Sequence, residues 1–369
     1  MRLESVELRR VGLPLVRPFR TSFGTEVDKD VLLVTVHGTE GEVGWGECVA
    51  MVDPLYSSEF ADGAQLVTRD HLLPRLFAAG DLGADDVGPL LRAVKGHPMA
   101  KAAVEMAVLD AELRSQGRSF GERLGAARAE VDCGVSVGIA PSIPELLDEV
   151  AGYLDAGYVR IKLKIEPGCD LEPVRAVREA HPDVLLQVDA NTAYTLDDWE
   201  ALAALDPFDL LLVEQPLDEE DIAGHAELAK RIRTPVCLDE SITSARVARE
   251  AIAMGACSIV NIKAGRVGGY LEAVRVHDAC VEAGVPVWCG GMLETGLGRA
   301  ANVALAALPG FTVPGDTSAS DRYFHRDLTE PFVLAGGRLA VPTGPGLGVE
   351  PLADVVAELT TQVEVVRAS

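Results

Sequence analysis

From residue 159 onward the chain repeats one distance. Short apolar strands end in polar residues at Lys164, Asp189, Glu214, Asp239 and Lys263, and another closes near Trp288, in steps of 25, 25, 25, 24 and 25 residues. Between them lie segments of helical period. In TLDDWEALAAL, for example, Leu196, Trp199, Leu202 and Leu205 share one face, and Thr195 with Asp198 approximates a capping box. Strand and helix alternating at this interval leave few topologies, because parallel strands must be joined by right-handed crossovers. An earlier strand, CGVSVG, ends at Gly138, and a later one, FTVPGD, ends around Asp316. Together they bring the count to eight, which predicts a (β/α)8-type, TIM-like barrel within an α/β fold.

The barrel does not account for the whole chain. Residues 1 to about 30 and DVLLVTVHGTEGEVGWGE read as a hairpin-rich sheet, and HPMAKAAVEMAVLDAELRSQG reads as a helix with apolar residues recurring at three and four. After the barrel, GGRLAVPTGPGLGVE is turn-rich. The expected organisation is an α+β capping domain over residues 1–125, with 325–369 returning to it, and a barrel domain over 126–324. A chain of 369 residues with 48% hydrophobic content can fill both cores.

Composition narrows the partners. With 33 Lys plus Arg against 57 Asp plus Glu, the formal charge of -24 repels phosphate backbones and anionic membranes, so neither nucleic acid nor membrane is expected. The N-terminal MRLESVELRRVGLPLV lacks a signal peptide's apolar stretch, and no segment approaches a bilayer span, so the reading places the chain in the cytoplasm. Seven scattered cysteines, without a CxxC pair or a neighbouring His, point to free buried thiols rather than disulfides or zinc.

Barrel chemistry sits at the C-terminal ends of the strands, and residues two apart on a strand face the same side. In RIKLKIEPG, Lys162 and Lys164 therefore point inward together, while Ile161, Leu163 and Ile165 face the helices. Asp189, Glu214 and Asp239 end three successive strands. A lone acid at such a place is more often a solvated loop group or helix N-cap. Three at equal spacing instead suit a hard divalent cation, Mg2+ first and Mn2+ second. Lys263 ends the next strand, so the metal is expected between two opposed lysines. A buried lysine beside other cations has a depressed pKa and can act as a general base, and a metal can stabilise the charge that develops when an α-proton leaves a carboxylate substrate.

KLK (162–164), DAN (189–191), EQP (214–216), DES (239–241) and NIKAGRVGG (261–269) resemble the muconate-lactonising subgroup of the enolase superfamily. More closely they resemble the N-succinylamino acid racemase/o-succinylbenzoate synthase family, and the likeness extends to PFRTSFG, GWGEC, PVWCGGMLETGLGRAAN and PGDTSASDR. It implies that Asp189, Glu214 and Asp239 bind Mg2+, that Lys164 and Lys263 are the acid/base pair, and that Lys162 and Asn191 contact the substrate or its enediolate. It also implies that Arg266, associated with the racemising branch, tunes Lys263. A mostly apolar acyl and side-chain pocket would come from Phe19, Phe23 and Met51 of the cap with Ser136, Gly291, Leu293 and Tyr323 of the barrel. A homo-oligomer is implied as well, with an octamer as the candidate form.

The leading expectation is racemisation of N-acylamino acids, N-succinyl derivatives first. Its close rival is o-succinylbenzoate synthesis by dehydration, and one site can serve both, since each begins with proton abstraction beside a carboxylate. Dipeptide epimerases of the subgroup carry a D-x-D pair after the eighth strand. Here Asp316 is followed by Thr317 and Ser318, which counts against a dipeptide substrate. Muconate cycloisomerisation, a Schiff-base lysine as in barrel aldolases and a non-catalytic barrel rank lower.

Overall fold

The computed structural model describes residues 1–368. Strands β1 (Leu3–Thr21) and β2 (Gly24–Gly38) form a long hairpin, and β3 (Val43–Cys48) follows on its far side. Apolar residues such as Leu8, Val11, Leu13, Val34 and Val36 are buried against the helix Pro98–Gln116 and its neighbours. The glycines of GWGEC serve this contact. A Cβ on Gly44 or Gly46 would collide with the backbone of Ala107 or Ala103, so their absence of side chain lets β3 lie directly on that helix.

The short β4 (Glu130–Asp132) leads into seven parallel strands: β5 (Gly134–Val137), β6 (Arg160–Lys164), β7 (Leu185–Asp189), β8 (Val213–Glu214), β9 (Val236–Leu238), β10 (Ile259–Ile262) and β11 (Val287–Cys289). They pair in sequence order. Strand β12 (Arg338–Ala340) pairs with β4, and β13 (Thr360–Arg367) returns to pair antiparallel with β1, giving a cap sheet ordered β13-β1-β2-β3.

The eighth strand expected at FTVPGD is not a regular strand. Residues 311–316 close the barrel through isolated bridges, Val287 to Phe311 and Cys133 to Gly315. Pro314 has no N–H to contribute to a ladder, and its carbonyl is taken by the Arg160 guanidinium at 2.9 and 3.2 Å. Flanking bonds still seal the seam: Gly134 N donates to Gly315 O at 2.7 Å, and Asp316 N donates to Cys289 O at 2.8 Å.

Below the mouth the barrel is filled. Trp288, Leu212, Cys237 and Ile259 form an apolar cluster, with the buried Arg160 guanidinium 5.2 Å from the Trp288 ring. The hairpin tip of the cap reaches across that rim. Ile139 N donates to Arg20 O at 2.9 Å, Ser22 Oγ donates to Ala190 O at 3.1 Å, and Arg20 pairs with Glu166 at 2.7 Å. The seven cysteines are unbridged, and all but the half-buried Cys169 are buried. No helix among the described residues is long and apolar enough to cross a membrane.

Candidate active site

The period of two on β6 carries Lys162 and Lys164 into the mouth together. Lys164 Nζ donates to Asp189 Oδ2 and to Asn191 Oδ1, both at 2.6 Å. Lys162 Nζ lies deeper, 2.7 Å from Asp316 Oδ2, 3.0 Å from Glu214 Oε2 and 3.2 Å from Asp189 Oδ2, and it sits 4.7 Å above the Trp288 ring. Asp189 and Glu214 close their strands, whereas Asp239 and Lys263 each lie one residue past theirs. Lys263 Nζ donates to Asp239 Oδ2 at 2.7 Å and to the Tyr56 hydroxyl at 3.1 Å.

Backbone strain fixes the rim. Asn191 and Gln215 have φ of 43° and 36°, a region that only short-range hydrogen bonding makes tolerable for such residues. Asn191 N donates to Asp189 Oδ1 at 3.1 Å, and its side-chain amide donates to Glu240 Oε1 at 2.9 Å. Gln215 Oε1 accepts from Asp239 N at 3.0 Å and Ser241 N at 3.2 Å, stapling the DES turn to the EQP turn.

Charge is balanced internally. Burial pushes the Glu214 carboxyl well above its usual range, and Asp189 and Asp239 add to the effect while Lys162 opposes it. Burial also works against ionised Asp189, but Lys164 and Lys162 outweigh it and hold that carboxyl below its usual range. The two deeper lysines differ from the sequence expectation of a depressed pKa. Burial pulls Lys263 down, yet Asp239, Tyr56, Glu240 and Glu214 more than offset it and keep the ammonium well above 10.5. Lys162 behaves likewise, with burial overcome by Asp316, Glu214 and Asp189. The sequence argument counted neighbouring cations, whereas the carboxylates lie closer.

The expected convergence of three carboxylates is also modified. Among the described residues no set of three His, Cys, Asp or Glu is gathered tightly enough to hold a metal ion, because the lysine ammonium groups stand between the acids. The donor set nevertheless fits a hard cation. Asp189, Glu214 and Asp239 are 1%, 0% and 0% exposed, all ligand atoms are oxygen, and Asp239 Oδ1 is buried without a hydrogen-bond partner.

A cavity of about 40 Å³ joins these groups. Lys162, Lys164, Asn191 and Lys263 line it, as do Phe19, Phe23 and Met51 from the cap and Ser136, Gly291, Leu293 and Tyr323 from the barrel. Phe19 and Tyr323 meet edge to face at 6.5 Å between centroids, so cap and barrel share that wall. Phe19 also borders a wider surface groove of about 790 Å³ between residues 16–20 and 138–149. Arg266 lies outside the cavity lining, 7% exposed, with its guanidinium carbon 5.4 Å from the centre of the Tyr56 ring.

Sequence reasoning missed Tyr56, Asn261 and Glu240 and gave Asp316 no role. Asn261 Nδ2 donates to Glu214 Oε1 at 2.6 Å, and the alternation rule that selected Lys162 from Lys164 would have selected Asn261 from Lys263. Tyr56 lies in an irregular segment with no periodic signal.

Known proteins resemble this chain along nearly its whole length. Residues 4–125 match the mandelate racemase/muconate lactonizing enzyme N-terminal domain, and residues 145–355 match the enolase C-terminal domain-like family. An N-succinylamino acid racemase from Amycolatopsis sp is 68% identical over 98% of each chain. An o-succinylbenzoate synthase from Geobacillus stearothermophilus is 46% identical over 94% of this chain and 93% of that one. The crystal structure of an enolase-superfamily member from Listeria innocua superposes with a TM-score of 0.96 at 39% identity, covering 100% of both chains.

Proposed function

The chain belongs to the mandelate racemase/muconate-lactonizing family of the enolase superfamily, and on that premise we propose that it racemises N-acylamino acids, N-succinyl derivatives first, by two-base 1,1-proton transfer. The observation that carries this reading is the placement of Lys164 and Lys263 in one cavity, at the C-terminal ends of the second and sixth strands of the parallel sheet. Two bases reaching one α-carbon from separate sides are what inversion requires. The same reading assigns residues 1–125 and 325–369 to the cap and 126–324 to the barrel.

Asp189, Glu214 and Asp239 would hold Mg2+ or Mn2+, which when bound supplies a Lewis-acid counter-charge for the substrate carboxylate. The chain's own groups then divide the work. Lys164 removes the α-proton of the L-enantiomer, and the Lys263 ammonium returns a proton to the opposite face of the planar enediolate. For the D-enantiomer the roles reverse. Lys162, with its fixed charge, and Asn191 orient and stabilise the anion, while the aromatic wall of Phe19, Phe23 and Tyr323 receives the acyl chain and excludes water. The hairpin tip, through Phe19 and Phe23, and Met51 border the cavity in which the substrate would sit.

The dehydration that forms o-succinylbenzoate is the second reading, favoured by the synthase relative and by the same cavity. It uses Lys164 as base and Lys263 as a stabilising cation. The test assays one Mg2+-loaded preparation on a panel of N-acylamino acids and on the dehydration substrate, comparing kcat/KM. A preparation that turns over neither class sinks the proposal. A kcat/KM for dehydration far above every racemisation value makes the second reading the first.

A further inference from the structure

Between Val52 and Ser58 the cap segment carries neither helix nor strand, and only Tyr56 in it is buried. Its neighbours are open to solvent: Val52 is 51% exposed and Leu55 52%, against 8% for Tyr56. A greasy anchor for a surface segment would need no hydroxyl. Here the hydroxyl is spent entirely inside the site, accepting from Lys263 Nζ at 3.1 Å and donating to Asp239 Oδ2 at 3.1 Å. The ring is used as well. Lys263 Nζ lies 4.6 Å from its centre and the Arg266 guanidinium carbon 5.4 Å, while Phe23 from the hairpin tip packs against it at 6.3 Å.

The two lysines are therefore held in different ways. Lys164 donates both of its bonds to barrel residues, Asp189 and Asn191. Lys263 donates one to the barrel, at Asp239, and the other to Tyr56 of the cap. We infer that Tyr56 is a positioning residue for Lys263 alone, setting the place of its Nζ and leaving Lys164 to the barrel. The inference rests on the two-base reading. Its consequence is asymmetry: a fault in the cap segment disables one face of the reaction before the other.

The experiment follows loss of the α-proton NMR signal in D2O for each enantiomer of an N-succinylamino acid, separately, with the Mg2+-loaded enzyme. Wild type, Tyr56→Phe, Tyr56→Leu and Lys263→Ala are compared. Both Tyr56 replacements keep an apolar group in the buried position. With Tyr56→Leu, exchange of the D-enantiomer is expected to fall about tenfold or more, the scale of a misplaced reacting group, while exchange of the L-enantiomer stays within about twofold. Tyr56→Phe, which keeps the ring contact, falls between Leu and wild type. Equal loss for both enantiomers, as an effect through Asp239 or through water exclusion would give, overturns the positioning role, and so does no loss for either. Lys263→Ala separates the two levels. If it still exchanges the D-enantiomer, the two-base reading itself fails; if it exchanges only the L-enantiomer, the Tyr56 result stands or falls alone.

Discussion

Asp316→Asn removes one charge from a buried cluster without changing shape. Asp316 Oδ1 lies 2.8 Å from Arg160 Nη2 and Oδ2 lies 2.7 Å from Lys162 Nζ, with side-chain exposures of 4%, 0% and 2%. Breaking a buried pair leaves an uncompensated cation and costs about 3–5 kcal/mol. Both cations keep other acceptors, Pro314 O and Val135 O for Arg160, Glu214 and Asp189 for Lys162. The loss should therefore lie at the lower end, about 3 kcal/mol at pH 7. The sign with pH follows from the carboxyl. Burial opposes its ionisation, but Lys162 and Arg160 outweigh burial and hold it below its ordinary 3.8. Its contribution is then complete above 3.8 and fades as pH falls toward the depressed native value, so the gap between wild type and variant must narrow on the acid side. Urea unfolding followed by circular dichroism, at pH 7 and in steps down to about pH 3, measures both features. A variant whose midpoint matches wild type at pH 7, or a gap that widens in acid, refutes the reasoning.

Removal of divalent ions, and equally Asp239→Asn or Glu214→Gln, should lower both racemisation and dehydration by about three powers of ten or more, since the dianionic intermediate loses its main counter-charge; full turnover in excess chelator would contradict the ligand assignment. Lys164→Ala should stop racemisation yet leave α-proton exchange of the D-enantiomer, whereas Lys162→Ala should weaken exchange of both, and a one-sided pattern for Lys162→Ala would exchange their roles. At Gly291 an added Cβ would lie 3.0 Å from Asp316 O and 3.3 Å from Glu294 Oε2, so Gly291→Ala narrows the cavity against groups that must give way. It should shift the kcat/KM ranking among acyl groups by about 1–3 kcal/mol, and an unchanged ranking with unchanged stability would place Gly291 outside the acyl subsite.

The repeat of 25 residues was enough to name the barrel and the strand ends, because side-chain direction alternates along a strand and the mouth collects whatever those ends carry. Lys162, Lys164, Asp189, Glu214, Asp239 and Lys263 were all legible from that rule, as residue types at fixed intervals. Three things were not. The eighth segment read as a short strand holding Pro314, but ladder formation depends on partners across the seam, and Pro314 has no N–H to offer, so only isolated bridges form there. The charge state of Lys263 was read from cations near it in sequence, while its field is set by carboxylates arriving from other strands and by a phenol from the cap. Tyr56 itself could not be found, because it sits in an aperiodic segment 183 residues from the Asp239 it bonds, and only the folding of the cap over the barrel brings the two together. Local pattern determines elements and their facing. Which charges share a low-dielectric cavity is a long-range contact, and the chain's local chemistry does not encode that distance.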